Sequence, residues 1–118
     1  MKKTTKLLFG IHMHQPIDNF DWVIEHGVKV CYGPFFEVMS KHPEFKFAVH
    51  CSGWLMEEIK KKHPKVYKNI KTLSDKGSIE FFGAGYYEPI LSVIPSEDRV
   101  AQIDMLNSST QKAFKQTP

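Results

Sequence analysis

Residues 6–16 read KLLFGIHMHQP, a short apolar run that leads directly into a cluster of polar side chains. The run from Leu7 to Ile11 predicts a buried strand, and Pro16 marks its exit because proline cannot donate to a central strand ladder. His12 and His14 are two positions apart, so alternation along the strand directs both imidazoles to one side. Ligands of parallel α/β folds bind at the carboxyl ends of the strands. This stretch therefore predicts a first parallel strand with a polar site at its end.

The rest of the chain alternates strands and helices. Further strands are predicted at residues 45–50 and 78–83, and helices at residues 22–39, 52–76 and 96–114, with breaks at Gly33-Pro34 and His63-Pro64. Ser52 and Ser96 are suitable N-caps, and Gly77 is a suitable C-terminal stop. Strands and helices in β-α-β-α-β-α order predict an α/β fold with parallel strands and right-handed crossovers.

The predicted sheet has too few strands to close. A closed barrel of parallel strands has about eight, and the chain predicts only three before it stops after a helix. We therefore expect residues 1–118 to be a single partial domain. An unpaired edge on the third strand and an open sheet face also lead us to expect poor solubility of the isolated chain.

Composition narrows the class of protein. Hydrophobic residues make up 42% and charged residues 25% of the 118 residues, with a net charge of +3, as in ordinary soluble proteins. The only lysine cluster, residues 60–62, has no interleaved aromatic residues, so nucleic acid is not an expected partner. No apolar run reaches the length of a signal peptide or a membrane span, so we expect a cytoplasmic protein. Cys31 and Cys51 are expected to be buried free thiols.

Each predicted strand ends in polar residues, and the ends of parallel neighbours meet at one edge. The first strand supplies His12, His14 and Gln15, and the second supplies His50. The third carries Glu80 between apolar neighbours, which predicts a buried carboxylate that is either paired or used. The loop that follows carries Glu88.

Imidazoles and carboxylates can hydrogen-bond the vicinal hydroxyls of a sugar, and Tyr86, Tyr87 or Trp54 can stack on its apolar face. The sequence therefore favours a carbohydrate site. His26, His42 and His63 lie on helices or beside proline and are expected to be structural.

Two motifs resemble those of glycoside hydrolase family 57. The first is His14-Gln15-Pro16 after the first strand, and the second is Gly77-Ser78-Ile79-Glu80 on the third. The flanking residues 19–23, 49–53, 87–91 and 94–99 are similar to the 4-α-glucanotransferase and α-amylase branch. Other branches more often carry histidine at the position of Glu88.

The resemblance implies the first three units of a (β/α)7 TIM-like barrel and retaining transfer or hydrolysis of α-1,4-glucans. It implies that His12, His14 and Glu80, and also Gln15 and Glu88, bind an α-glucan or maltooligosaccharide. The two catalytic carboxylates of a retaining glycosidase, a glutamate nucleophile and an aspartate acid/base, are expected beyond Pro118. We accordingly expect a partial catalytic domain that is inactive alone, with no cofactor and no metal.

Other readings stay open at the level of sequence. His12, His14 and His50 could hold a divalent metal, as in a polysaccharide deacetylase or an amidohydrolase-like enzyme. The chain could also be a non-catalytic sugar-binding module, or a structural α/β domain without a site. The sequence does not indicate an oligomeric state.

Overall fold

A computed structural model of the chain describes residues 3–118. Its strands are β1 (Gly10–Met13), β2 (Phe47–Cys51) and β3 (Ile79–Phe81). Its helices are α1 (Asp21–Gly27), α2 (Gly33–Ser40), α3 (Gly53–Lys62), α4 (Pro64–Asp75) and α5 (Ser96–Phe114), with a π-helical segment, Val28–Tyr32, between α1 and α2. The predicted α/β class and order of elements are confirmed. Among the described residues, no helix is long and apolar enough to cross a membrane.

The three strands form one parallel sheet in the order β1-β2-β3. Alternation places one set of side chains, including Met13, Val49 and Phe81, on a face that the helices cover, and these residues are at most 7% exposed. Ile24, Phe36, Leu55, Ile59, Ile70 and Leu73 pack into this core from the helices and are at most 2% exposed. The opposite sheet face, which we call the open face, carries Gly10, His12, Ala48, His50, Glu80 and Phe82.

The prediction for the first strand was wrong in its bounds. Leu7 and Leu8 are 72% and 96% exposed, and β1 begins only at Gly10 and runs through His12. The first strand starts late because β2 begins only at Phe47. The two strands pair from Gly10 to Met13, and at the start of this pairing the Ala48 amide donates to the Phe9 carbonyl. His12 is therefore part of the sheet, and His14 follows its first strand directly.

The sequence predicts a helix break at Gly33-Pro34, but the structure has none there. The π-helical segment brings the backbone of Gly33 so close to Val28 that a Cβ at position 33 would lie 2.8 Å from the Val28 carbonyl oxygen. Glycine permits this approach, and Pro34 sits in the first turn of α2, where its missing amide costs nothing. The predicted break is thus a local widening of a continuous helix.

Three of the four other predictions at helix ends are confirmed. The Ser52 hydroxyl accepts a hydrogen bond from the Leu55 amide at 3.1 Å and caps α3, and Gly77 adopts a φ of +67° after α4. His63-Pro64 separates α3 from α4 as predicted. Ser96 is not an N-cap, because Pro95 occupies the capping position and Ser96 is already the first residue of α5.

The two cysteines differ in environment. Both are free, but only Cys51 is buried, so the expectation of burial was wrong for Cys31. Cys51 lies on the covered face of β2, where complete burial raises the pKa of its thiol. Cys31 lies in the π-helical segment, on a side that faces solvent.

Candidate functional site

The sheet register places two histidines side by side. His12 on β1 is paired with His50 on β2, and their ring centroids are 4.5 Å apart. His14 follows β1 directly, and its ring centroid lies 5.6 Å from that of His12. The predicted same-side arrangement of His12 and His14 therefore extends to a third imidazole on the neighbouring strand.

A single carboxylate joins the three imidazoles. Glu88, from the loop between β3 and α5, has Oε1 at 2.8 Å from His12 Nε2 and at 3.2 Å from His50 Nδ1. Its Oε2 lies 2.9 Å from His14 Nδ1. The Glu88 side chain is only 14% exposed, whereas His12 and His14 are each 57% exposed. We call these four side chains the His-Glu cluster.

The charges of the His-Glu cluster follow from burial and hydrogen bonding. Burial alone would raise the pKa of Glu88, but the hydrogen bonds from His12 and His14, together with the nearby imidazole charges, outweigh burial and lower the pKa. Burial lowers the pKa of His50 and outweighs the attraction of Glu88. Glu88 is thus a carboxylate near neutral pH, and it can accept hydrogen bonds on both oxygens.

The backbone at Glu88 is held in an unfavourable conformation. Its φ is +51°, in the left-handed region, and the following residue is Pro89. This conformation costs a non-glycine residue roughly 1–2 kcal/mol, and it persists only where its surroundings impose it. The Glu88 amide donates to the Gly85 carbonyl at 3.0 Å and closes the turn that aims the carboxylate at the histidines. Strain at a residue that joins three imidazoles points to function rather than to stability.

The loop that carries Glu88 is anchored by Tyr86. Its ring is 6% exposed and packs on the backbone of Gly53, whose amide donates to the Tyr86 carbonyl at 2.9 Å. The Tyr86 amide donates to the Gln102 carbonyl at 3.0 Å, and the Tyr87 amide donates to the Gln102 side chain at 2.9 Å. Sequence reasoning missed Gly53 and Gln102, because their partners are distant in sequence and neither residue type signals a site.

Gln15 does not reach the His-Glu cluster. Its Oε1 accepts from Asn19 Nδ2 at 2.8 Å, and its Nε2 donates to the Tyr32 hydroxyl at 3.3 Å. Tyr32 in turn donates to the His14 carbonyl at 2.9 Å. In this structure, Gln15 and Tyr32 fix the chain that presents His14. Direct contact of Gln15 with a substrate stays a prediction.

Glu80 is exposed, so the predicted burial of its carboxylate was wrong. Its neighbours Ile79 and Phe81 are buried under the helices, and alternation turns Glu80 to the open face. Glu80 is in register with Ala48, which is in register with Gly10, and it lines a cleft of about 680 Å³ on this face. His12 and His50 are two positions further along the same side of the strands. Glu80 therefore lies on the same sheet face as His12 and His50, although the residues of the His-Glu cluster do not line this cleft.

The cluster also has the donor atoms of a metal site. One ligand atom from each of His12, His14 and Glu88 lies within 4.8 Å of the other two. His26, His42 and His63 lie elsewhere, on or beside helices, as expected.

Comparisons with known proteins agree with the resemblance seen in the motifs. The sequence profile of glycosyl hydrolase family 57 matches residues 8–118. An α-amylase 1 from Dictyoglomus thermophilum is 43% identical over 118 residues, which is 100% of this chain and 17% of the relative. A 4-α-glucanotransferase from Thermococcus litoralis is 44% identical over 105 residues, 89% of this chain and 16% of the relative.

The fold agrees as well. The crystal structure of 4-α-glucanotransferase from Thermococcus litoralis matches with a TM-score of 0.85 and 43% identity, over 90% of this chain and 17% of that one. The chain thus spans about one sixth of the length of the curated relatives it matches. These findings do not favour the metal-dependent hydrolase or the sugar-binding module.

Proposed function

The chain belongs to glycosyl hydrolase family 57, and we propose that its open face binds an α-1,4-glucan for retaining transfer or hydrolysis. In this proposal His12, His14 and Glu88 contact the sugar directly, and Glu80 contacts it one row further along the sheet. The observation that carries the proposal is one carboxylate shared by three imidazoles at the carboxyl end of two adjacent strands.

This arrangement suits a polyhydroxylated ligand. Glu88 offers acceptor oxygens, while the ring nitrogens of His12 and His14 that do not face Glu88 can donate or accept. Vicinal sugar hydroxyls need donors and acceptors at such spacings. Because Glu88 holds the rings in place before the sugar arrives, little conformational freedom is lost on binding.

Aromatic contacts complete the proposed site. Tyr87 is 41% exposed and stands beside Glu88, and its ring packs edge-on against the buried Tyr86 at 4.8 Å between centroids. An exposed ring that is held in this way can stack on the apolar face of a pyranose. Trp54 is only partly exposed and packs against the core, so we assign it a structural role.

A cytoplasmic location is part of the proposal. Cys31 and Cys51 are both free, and disulfides are rare in reducing compartments.

The proposed glucan site also agrees with a partial barrel, since the open face would become the inner wall of a (β/α)7 barrel. The glutamate nucleophile and the aspartate acid/base would come from other strands of that barrel.

Calorimetric titration of the chain with maltoheptaose tests the proposal. We expect saturable binding in the millimolar range, because the chain offers one wall of a cleft. Cellohexaose, a β-1,4-linked glucan, is the matched control and should give at least tenfold weaker binding. Equal binding of the two sugars, or no heat with maltoheptaose, would overturn the α-glucan assignment.

A further inference from the structure

We propose that His12, His14 and Glu88 also form a binding site for a divalent transition-metal ion, which competes with the glucan for these side chains. The three residues each offer a ligand atom, and these atoms lie within 4.8 Å of one another. Metal binding is inferred from the geometry alone. The competition rests on the proposed function.

The separations are close to those that a metal needs. Ligand atoms around tetrahedral Zn²⁺ are roughly 3.3 Å apart, given metal–ligand bonds of about 2.0–2.1 Å. The Glu88 oxygens lie 2.8 Å from His12 Nε2 and 2.9 Å from His14 Nδ1. These two contacts use different oxygens of Glu88, so a metal bound through one oxygen requires the imidazoles to shift from ligand atoms that lie within 4.8 Å of one another. Both imidazoles are more than half exposed, so they can make this adjustment and an ion can reach them.

The donor set selects the class of metal. Two imidazoles and one carboxylate suit Zn²⁺, Co²⁺ and similar borderline ions, whereas Mg²⁺ and Ca²⁺ prefer oxygen ligands. Three protein ligands leave at least one position for water. The metal takes the ring nitrogens that face Glu88, and the imidazole protons then lie on the opposite nitrogens, His12 Nδ1 and His14 Nε2.

Neighbouring groups hold the ligands in place. His50 Nδ1 lies 3.2 Å from Glu88 Oε1 and can donate to the carboxylate, and the His50 side chain is only 17% exposed. Such a contact orients a metal-binding carboxylate. The Tyr32 hydroxyl fixes the carbonyl of His14, so the end of β1 is tied down too.

The metal displaces sugar because both need the Glu88 carboxylate as an acceptor. A bound ion occupies an acceptor oxygen of Glu88 and the nitrogens of His12 and His14 that face Glu88. Hydroxyl groups that donate to Glu88 then lose this acceptor. The site would thus make glucan binding sensitive to free transition metal.

The untagged, chelator-treated chain should be titrated with Zn²⁺ against a chromophoric chelator, with Co²⁺ absorption as a second readout. We expect one Zn²⁺ ion to bind per chain with a Kd in the micromolar range. Bound Co²⁺ should give the visible absorption bands of an ion with a low coordination number, and Mg²⁺ should not bind comparably. His14→Ala and Glu88→Gln should each weaken Zn²⁺ binding at least tenfold. His42→Ala is the matched control, since His42 lies 3.3 Å from Glu44 without belonging to the cluster, and should bind like the parent. Circular dichroism establishes that each variant is folded.

The outcomes separate the two proposals. No saturable Zn²⁺ binding, or binding that survives in His14→Ala and Glu88→Gln, would overturn the metal site, whatever the glucan result. If Zn²⁺ binds, saturating metal should weaken maltoheptaose binding at least tenfold. Unchanged sugar affinity in the presence of bound Zn²⁺ would refute the competition and leave the metal site in place.

Discussion

Gly53→Ala should lower the free energy of unfolding by about 1–3 kcal/mol, the range expected for overpacking in a filled site. A Cβ at position 53 would lie 2.1 Å from Cε2 and 2.2 Å from Cδ2 of Tyr86, a ring that is almost fully buried. Alanine is a better helix former than glycine by about 1 kcal/mol in a helix interior, but Gly53 is the first residue of α3, so this gain offsets only a small part of the loss. Chemical denaturation followed by circular dichroism measures the change.

The same substitution should weaken sugar binding, although residue 53 is not in the His-Glu cluster. Tyr86 must move, and Glu88 is only two residues further along the loop. Gly10→Ala is the matched control for stability, because its new Cβ would meet no atom closer than 3.6 Å. Gly10→Ala should therefore unfold like the parent. A Gly53→Ala chain with unchanged stability and maltoheptaose affinity would show that Tyr86 does not anchor the loop.

Glu88→Gln should reduce the affinity for maltoheptaose at least tenfold, equivalent to about 1.4 kcal/mol. The substitution keeps the shape of the side chain but removes the negative charge that receives three imidazole contacts. Charge-assisted hydrogen bonds are roughly twice as strong as neutral ones, and one amide oxygen cannot serve three donors. The imidazoles are then no longer fixed before the sugar binds. Calorimetric titration measures the loss.

A second pair of variants separates function from stability at this position. Glu88→Ala and Glu88→Gly both remove the carboxylate, so both should lose the same binding. Glycine adopts a φ of +51° without strain, so Glu88→Gly should be more stable than Glu88→Ala by about 1 kcal/mol. If Glu88→Ala bound maltoheptaose like the parent, Glu88 would be no more than a structural residue.

The predictable part of this molecule came from local patterns. Alternation in the first segment placed His12 and His14 on one side, and the serine and glycine signals at Ser52 and Gly77 located the ends of helices. The order of elements implied parallel strands, which is why His50 lies next to His12. These features depend on neighbours in sequence or on a general rule of topology.

The features that escaped prediction depend on distant contacts. The apolar pattern predicts a strand that includes Leu7 and Leu8, but the pairing of β1 with β2 begins only at Gly10. Glu80 read as buried because its neighbours are apolar, and only the sheet shows that helices cover one face alone. The left-handed backbone at Glu88 is imposed by a turn and by the anchoring of Tyr86, which the residue types do not reveal.

The most direct test of a sugar-binding His-Glu cluster is to follow the imidazole nitrogens by NMR during titration with maltoheptaose. We predict that the ring signals of His12 and His14 shift in a saturable way, while those of His26 and His42, which lie away from the cluster, stay in place. Shifts that are confined to His26 or His42, or no shift of any ring at saturating sugar, would contradict the account.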